Sequence, residues 1–392
     1  MSSPDDPLAA ALAAAGLTDA VPGEPPPGPT GTAAGFVVAG TDEAADEPAE
    51  IPQRWPAGAA TGVGSLPGTD PREAAATVVG ELPLLPHIPE LPARGVGADM
   101  IGRTAALLVD IAVEVVPTGY RVTARPGLDH RRAVDLLRTD LDAFEEACEP
   151  ARPAWVKVQA AGPWTLAAGV EVRSGHRVLT DRGAVQEFAE SLAEGLRGHI
   201  AEVASRTGAR VLVQLDEPSL PAVLRGSLPT ASGYGRLPAV PEPEATDLLR
   251  DLVDGLPAPV LIHCCADDPP VRLLAATGAA AVGLDATAPS VSGDTASPAA
   301  LDALGEIWDA GTPLFLGLVP AVDPPRPVEL RTLARRAFDL ADRLGFDRSR
   351  LAELAVPTPA CGLAGATPEW ARRAMTLSRE LGQTFVDPPE GW

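Results

Sequence analysis

The chain has 392 residues, 45% of them hydrophobic, a balance that fits a globular protein of one large domain or two ordinary ones. Its formal net charge of -22 repels phosphate backbones and anionic membrane surfaces, so neither nucleic acid nor membrane is expected among its partners. Its 4 cysteines are too few for a disulfide framework, no run approaches the ~18 apolar residues of a membrane span, and "MSSPDDPLAAALAAAGL" lacks the basic start of a signal peptide, so a reducing cytoplasm is the expected setting.

Residues 1–55 are rich in Pro, Gly, Ala and acids, as in "PGEPPPGPTG" and "GTDEAADEPAEIPQ". Such a segment buries too little apolar surface to offset its ordering entropy, so it reads as a disordered tail with at most a short helix over 7–17. From there to residue 392 the pattern is that of one folded domain. Short apolar runs alternate with amphipathic ones. The expected strands are "TGVGS" (61–65), "LPHIPEL" (85–91), "WVKVQAAGP" (155–163), "RVLVQLDEP" (210–218), "PVLIHCCA" (259–266), "AAVGLDA" (280–286), "PLFLGLVP" (313–320) and "LAVPTPACG" (354–362). The second is the weakest, because it holds two prolines.

Helices are expected between them. "DPREAAATVVGEL" starts with Asp70 as cap, Pro71 at N1 and Glu73 at N3. "RRAVDLLRTDLDAFEEACE" puts Ala133, Leu136, Leu137, Leu141, Phe144 and Cys148 on one face. "DRGAVQEFAESLAEGLRGHIAEVASR", "EATDLLRDLVDGL" and "TPEWARRAMTLSRELG", the last capped by Thr367, repeat the pattern. Eight strands alternating with helices predict an α/β fold, a (β/α)₈ TIM barrel with helical insertions, chiefly over 92–150, and a small hairpin over 170–180. A doubly wound open sheet is the alternative.

Barrel enzymes carry their chemistry at the C-terminal ends of the strands. Here those ends hold Ser65, Glu90, Asp216, His263, Cys265, Asp285 and Cys361. On an extended strand His263 and Cys265 point to the same side and Cys264 to the other. An imidazole and a thiolate favour zinc over magnesium or calcium. Cys361 offers a second sulfur from another strand end, and Asp285 an oxygen. The competing reading is a buried polar strand end, with Cys361 packed in its Gly-rich loop.

Taken in order, "GVGSLPGT" (62–69), "AAGPWTL" (160–166), "VQLDEPSL" (213–220), "LIHCC" (261–265) and "PTPACGLAG" (357–365) resemble the catalytic half of the cobalamin-independent methionine synthase family, within the uroporphyrinogen decarboxylase-like barrels. "TGYRVTARP" (118–126) is a weaker match to a substrate loop. The resemblance implies a zinc-dependent methyltransferase that converts homocysteine to methionine. It makes His263, Cys265 and Cys361 zinc ligands, with Asp285 where the family usually has a glutamate. It gives Ser65, Glu90 and Asp216 the amino-acid part of homocysteine, Asp216 serving catalysis as well. The additional N-terminal barrel of the long forms has no counterpart in the tail-like 1–55. The methyl donor is thus a methylcorrinoid protein or 5-methyltetrahydrofolate. A metal-independent lyase of the uroporphyrinogen decarboxylase kind and a non-catalytic zinc- or corrinoid-binding protein are the alternatives.

Overall fold

The computed structural model describes residues 54–230, 234–292 and 296–389. The expected tail, with its helix at 7–17, lies outside the described residues except for Arg54 and Trp55. Trp55, grouped with the tail by composition, belongs to the folded part. It is buried against Trp155 and Phe315, with ring centroids 6.0 and 5.3 Å away.

After helix α1 (Pro71–Glu81) and the short α2 (Met100–Ala105) comes an antiparallel hairpin, β1 (Ala112–Val116) and β2 (Gly119–Thr123). The long helix α3 (Leu128–Ala151) leads into β3 (Trp155–Ala161). Helix α4 (Pro163–Gly169), the two-residue β4 (Val170–Glu171) and α5 (Arg182–Thr207) precede β5 (Arg210–Asp216). Then follow α6 (Leu220–Leu224), α7 (Glu242–Asp254), β6 (Val260–Cys264), α8 (Val271–Ala275) and β7 (Ala281–Asp285). The chain ends with α9 (Pro298–Asp309), β8 (Leu314–Val319), α10 (Leu330–Leu344), α11 (Arg350–Leu354), β9 (Ala355–Pro359) and α12 (Pro368–Val386).

Strands β3, β5, β6, β7, β8 and β9 form one curled parallel sheet in that order, each beside the next strand of the set. The reversal of order that a doubly wound sheet requires is missing. The first two expected strands are reduced to single-residue bridges, Ser65 with Glu90 and His87 with Lys157. Pro86 and Pro89 carry no N–H, so the 85–91 segment cannot sustain a ladder. Hydrogen bonds nevertheless tie these segments to both sheet edges. Thr61 N donates to Pro357 O at 3.3 Å, Glu90 N to Gly64 O at 3.1 Å, and Ile88 N to Lys157 O at 3.0 Å.

The helix signals are local and accurate. Asp70 accepts from the N–H groups of Arg72 and Glu73, Asp181 from Gly183 and Ala184, and Thr367 from Trp370. The insertion over 92–150 is less helical than its composition implies. "AVEVVPTGYRVT" forms the β1–β2 hairpin, turning at Pro117-Thr118, because its apolar residues alternate with a period of two. The hairpin expected over 170–180 survives as one bridge, Glu171 with Arg177, and β4 pairs parallel to β2.

Helix α3 also buries an acid that the amphipathic pattern did not reveal. The Asp140 side chain is 0% exposed, and one of its oxygens takes both Arg94, at 2.8 Å, and Arg103. Removing one partner of a buried ion pair leaves the others uncompensated. Asp140→Asn should therefore lower stability by about 3–5 kcal/mol, read as a lower midpoint of urea unfolding. An unchanged midpoint would show the network contributes nothing. Among the described residues no helix is long and apolar enough to cross a membrane.

Candidate active site

Side chains on the inner face of the sheet change character along the strands. Trp155, Leu212, Leu261, Ala281, Phe315 and Val356, near the strand starts, cluster with Trp55 and Leu85 into an apolar floor. Two and four residues further along the same faces stand Lys157 and Gln159, Gln214 and Asp216, and His263 and Cys265. The fold thus stacks a polar layer on an apolar plug, and the polar layer meets the C-terminal ends of the strands.

A cavity of about 250 Å³ lies there. This is just under the ~300–1,000 Å³ usual for drug-sized ligands, so it suits a smaller molecule. Ser65, Glu90, Asp216, His263, Cys265 and Cys361 all line it, with Val63, Pro92, Ala98, Met100 and Pro218 as its apolar wall. Six of the seven residues singled out in the sequence are thus brought together. Asp285 is not among the lining residues. Alternation points it inward, but its Oδ1 accepts from Thr287 N at 2.8 Å and from Thr287 Oγ1 at 2.6 Å, which turns the carboxylate onto its own loop.

His263 Nδ1 donates to Asp216 Oδ1 at 2.7 Å, both groups being buried. That bond fixes the ring and leaves Nε2 as its available nitrogen. The sulfurs of Cys265 and Cys361 touch at 3.2 Å. The S–H of Cys265 donated to Cys361, ahead of the nearby His263, makes Cys361 the more acidic thiol of the pair. Cys264 faces away into the core, where burial pushes its thiol up to about 12.

Glu90 is held from three sides. Its backbone N–H bonds Gly64 O, Gln159 Nε2 holds the neighbouring Ile88 O at 2.9 Å, and Arg103 Nε lies 3.8 Å from its carboxylate. Burial pushes the Glu90 carboxyl up to about 7, against the pull of Arg103. The glycines of "GVGS" and "ACG" reflect close approach. A Cβ at Gly64 would stand 2.8 Å from Gln159 Nε2, and one at Gly362 2.1 Å from Ser65 Oγ. Glu217 is structural. Its carboxylate accepts from Trp164 N, Thr165 N and Thr165 Oγ1, which ties the "GPWT" turn to the end of β5.

Among the described residues no group of three or more His, Cys, Asp or Glu side chains is spaced to hold a metal ion. The donor chemistry does fit one. One imidazole nitrogen, oriented by a carboxylate, and two thiols face the same cavity. This is the N/S set, with an orienting outer group, that zinc takes. The sequence reading missed Lys157, Gln159, Gln214 and Arg103. The one available signal was a lysine inside an apolar strand of a chain whose other strong bases are all arginine.

The profile of the family described as "Cobalamin-independent synthase, Catalytic domain" matches residues 58–384. No curated protein matches the chain. Two of the solved structures that share its fold are methyl-transfer proteins by name. A B12-independent methionine synthase from Shewanella sp. W3-18-1 in complex with selenomethionine superposes with a TM-score of 0.50 at 12% identity, covering 84% of this chain and 98% of that one. A methyltransferase from Methanosarcina mazei gives 0.51 at 15% identity, covering 84% and 95%.

Proposed function

Because the chain belongs to the cobalamin-independent synthase catalytic-domain family, we propose that it is a zinc-dependent S-methyltransferase that converts homocysteine to methionine. The observation that carries this reading is one cavity holding both halves of a thiol amino-acid site: His263, Cys265 and Cys361 on one side, Glu90, Asp216 and Ser65 on the other. The reading takes segments 61–65 and 85–91 as the first two strands of a closed (β/α)₈ barrel, and 56–392 as its catalytic domain. It places the protein in a reducing cytoplasm, where both cavity thiols stay free.

His263 Nε2, Cys265 and Cys361 would hold the zinc. Bound zinc supplies a Lewis acid that renders a thiol anionic at neutral pH. The remaining work belongs to the chain's own groups. Glu90 and Asp216 hold the ammonium of the amino acid by charge-assisted hydrogen bonds. The Ser65 hydroxyl faces its carboxylate. Asp216 also keeps His263 in the tautomer whose Nε2 lone pair faces out. Cys361, exposed at the rim, marks the side from which 5-methyltetrahydrofolate or a methylcorrinoid presents its methyl group. Among the cavity-lining residues there is no arginine, so a polyanionic tetrapyrrole has no partner there and the lyase reading loses its support.

The test is methionine formation from homocysteine by the zinc-replete protein, followed by mass spectrometry with methylcobalamin and with 5-methyltetrahydrofolate as donors. Methionine with either donor supports the reading; none with both contradicts it. Asp285→Asn should keep about one zinc per chain, since that carboxylate is engaged by Thr287 and three N/S donors suffice for a catalytic site. Loss of zinc in this variant would restore Asp285 as a ligand.

A pH dependence follows from Glu90. Its carboxyl, raised by burial to about 7, is protonated below that pH and cannot pair with an ammonium. Affinity for L-methionine should therefore rise by at least about tenfold from pH 6 to pH 8, as the ionised fraction grows. Calorimetric titration checks this, and affinity that is flat or falls over that range would remove Glu90 from the ammonium site.

A further inference from the structure

Lys157 is the only lysine in the chain and is fully buried. It stands between the apolar floor, where its strand neighbour Trp155 lies, and the cavity above. Its Nζ donates to Val63 O at 3.0 Å and to Gln214 Oε1 at 2.6 Å. Gln214 Nε2 donates in turn to Val63 O at 2.8 Å and to Asp216 Oδ1 at 2.7 Å. Asp216 Oδ1 also receives His263 Nδ1 at 2.7 Å. A hydrogen-bonded chain thus runs from the buried amine, through one amide, to the carboxylate at the cavity wall.

Three titratable groups face Lys157 from the packed elements. Asp216 on β5 and Glu90 on the 86–90 segment favour its charged form. His87, paired across from it, is buried with both ring nitrogens lacking a partner and is held neutral. Burial draws the Lys157 amine down to about 7, with Asp216 and then Glu90 opposing it. The amine is therefore poised by the same two carboxylates that the proposed function gives to the substrate ammonium. Two ammonium groups cannot both be fully stabilised by them. Loss of a proton costs Lys157 neither of its bonds, because a neutral amine keeps two N–H groups for the two acceptors, Val63 O and Gln214 Oε1. An arginine has no such option, since a guanidinium stays charged.

We propose that Lys157 is a charge-compensating positioning residue: its ammonium balances Glu90 and Asp216 in the ligand-free cavity, and it releases its proton to the medium when the ammonium of an amino-acid ligand takes that place. The inference rests on the amino-acid site proposed above. It makes ligand entry an exchange of one cation for another, so the buried site never carries two uncompensated acids or two competing cations.

A single lysine allows a direct test. Protein grown with ¹³Cε,¹⁵Nζ-labelled lysine gives one side-chain signal, whose shift reports the charge of Lys157. It is titrated between about pH 5.5 and 10, with and without saturating L-methionine, which carries no thiol proton. The expected midpoint is near neutrality in the free protein and falls to about 6 or below with methionine bound. A midpoint near ~10.4, the ordinary lysine value, or one unmoved by bound methionine, overturns the inference. Binding is followed separately by calorimetry. Methionine that binds while the midpoint stays fixed leaves the site standing and removes only the role of Lys157. Methionine that does not bind removes the amino-acid site and this role together. In Lys157→Arg, where the cation is permanent, methionine should bind roughly tenfold more weakly while zinc content is unchanged. Wild-type affinity in that variant counts against the exchange.

Discussion

Replacing Cys361 by serine is expected to strip the protein of zinc and to lower methyl transfer by roughly 10³-fold, the equivalent of about 4 kcal/mol of lost charge stabilisation. The change is close to isosteric, but a serine hydroxyl does not ionise near neutral pH and is a poor zinc ligand. It also takes from Cys265 the sulfur that lies 3.2 Å away. Cys361 is exposed at the cavity rim rather than packed in the core, so the folded structure should survive. Metal analysis beside an unchanged unfolding midpoint separates loss of the ligand from loss of the fold. A variant that keeps its zinc would remove Cys361 from the donor set.

Asp216→Asn is expected to act twice, because the proposed function gives one carboxylate two roles. Asp216 Oδ1 accepts from His263 Nδ1 and from Gln214 Nε2, each at 2.7 Å. The amide can preserve both contacts in outline, yet it has no charge to hold the imidazole or the substrate ammonium. Losing an outer partner of a metal-binding histidine costs about 10–100-fold in affinity or activity. Losing a charge-assisted bond to the ammonium costs a further ~1.5–3 kcal/mol. The two effects share one oxygen and will not add fully. A fall of about 10²–10³-fold in kcat/KM is therefore expected, with weaker zinc binding and a raised KM for homocysteine. A variant with altered KM but normal zinc affinity would mean that His263 needs no orienting carboxylate.

Much of the site was legible because strand ends are legible. Apolar runs that stop abruptly at His263, Asp216 and Ser65 mark the points where the sheet's inner face leaves its apolar floor and meets solvent. Period-two alternation then separates Cys265, on the cavity, from Cys264, in the core. What stayed hidden depends on distance across the fold. Nothing local tells that the amide of Gln214 spans Lys157 and Asp216, since that follows from the β3–β5 register. Asp140 broke no helical pattern, yet it lies at the centre of a buried ion cluster because Arg94 and Arg103 arrive from a different segment. Asp285 shows the limit of strand reading. Its strand position was read correctly, but Thr287, two residues on, claims the carboxylate. The second expected strand ended as bridges because Pro86 and Pro89 withhold the N–H groups that a ladder needs, which leaves the first, over 61–65, only a bridge from Ser65 to Glu90 on that side.

The central claim is that His263, Cys265 and Cys361 present zinc to a substrate thiol. The most direct measurement is zinc content by mass spectrometry, joined to X-ray absorption at the zinc edge before and after homocysteine is added. About one zinc per chain, bound by one nitrogen and two sulfurs and gaining a third sulfur with homocysteine, is the predicted result. No zinc after metal-replete purification, or a zinc whose sulfur count does not change when homocysteine binds, would contradict it.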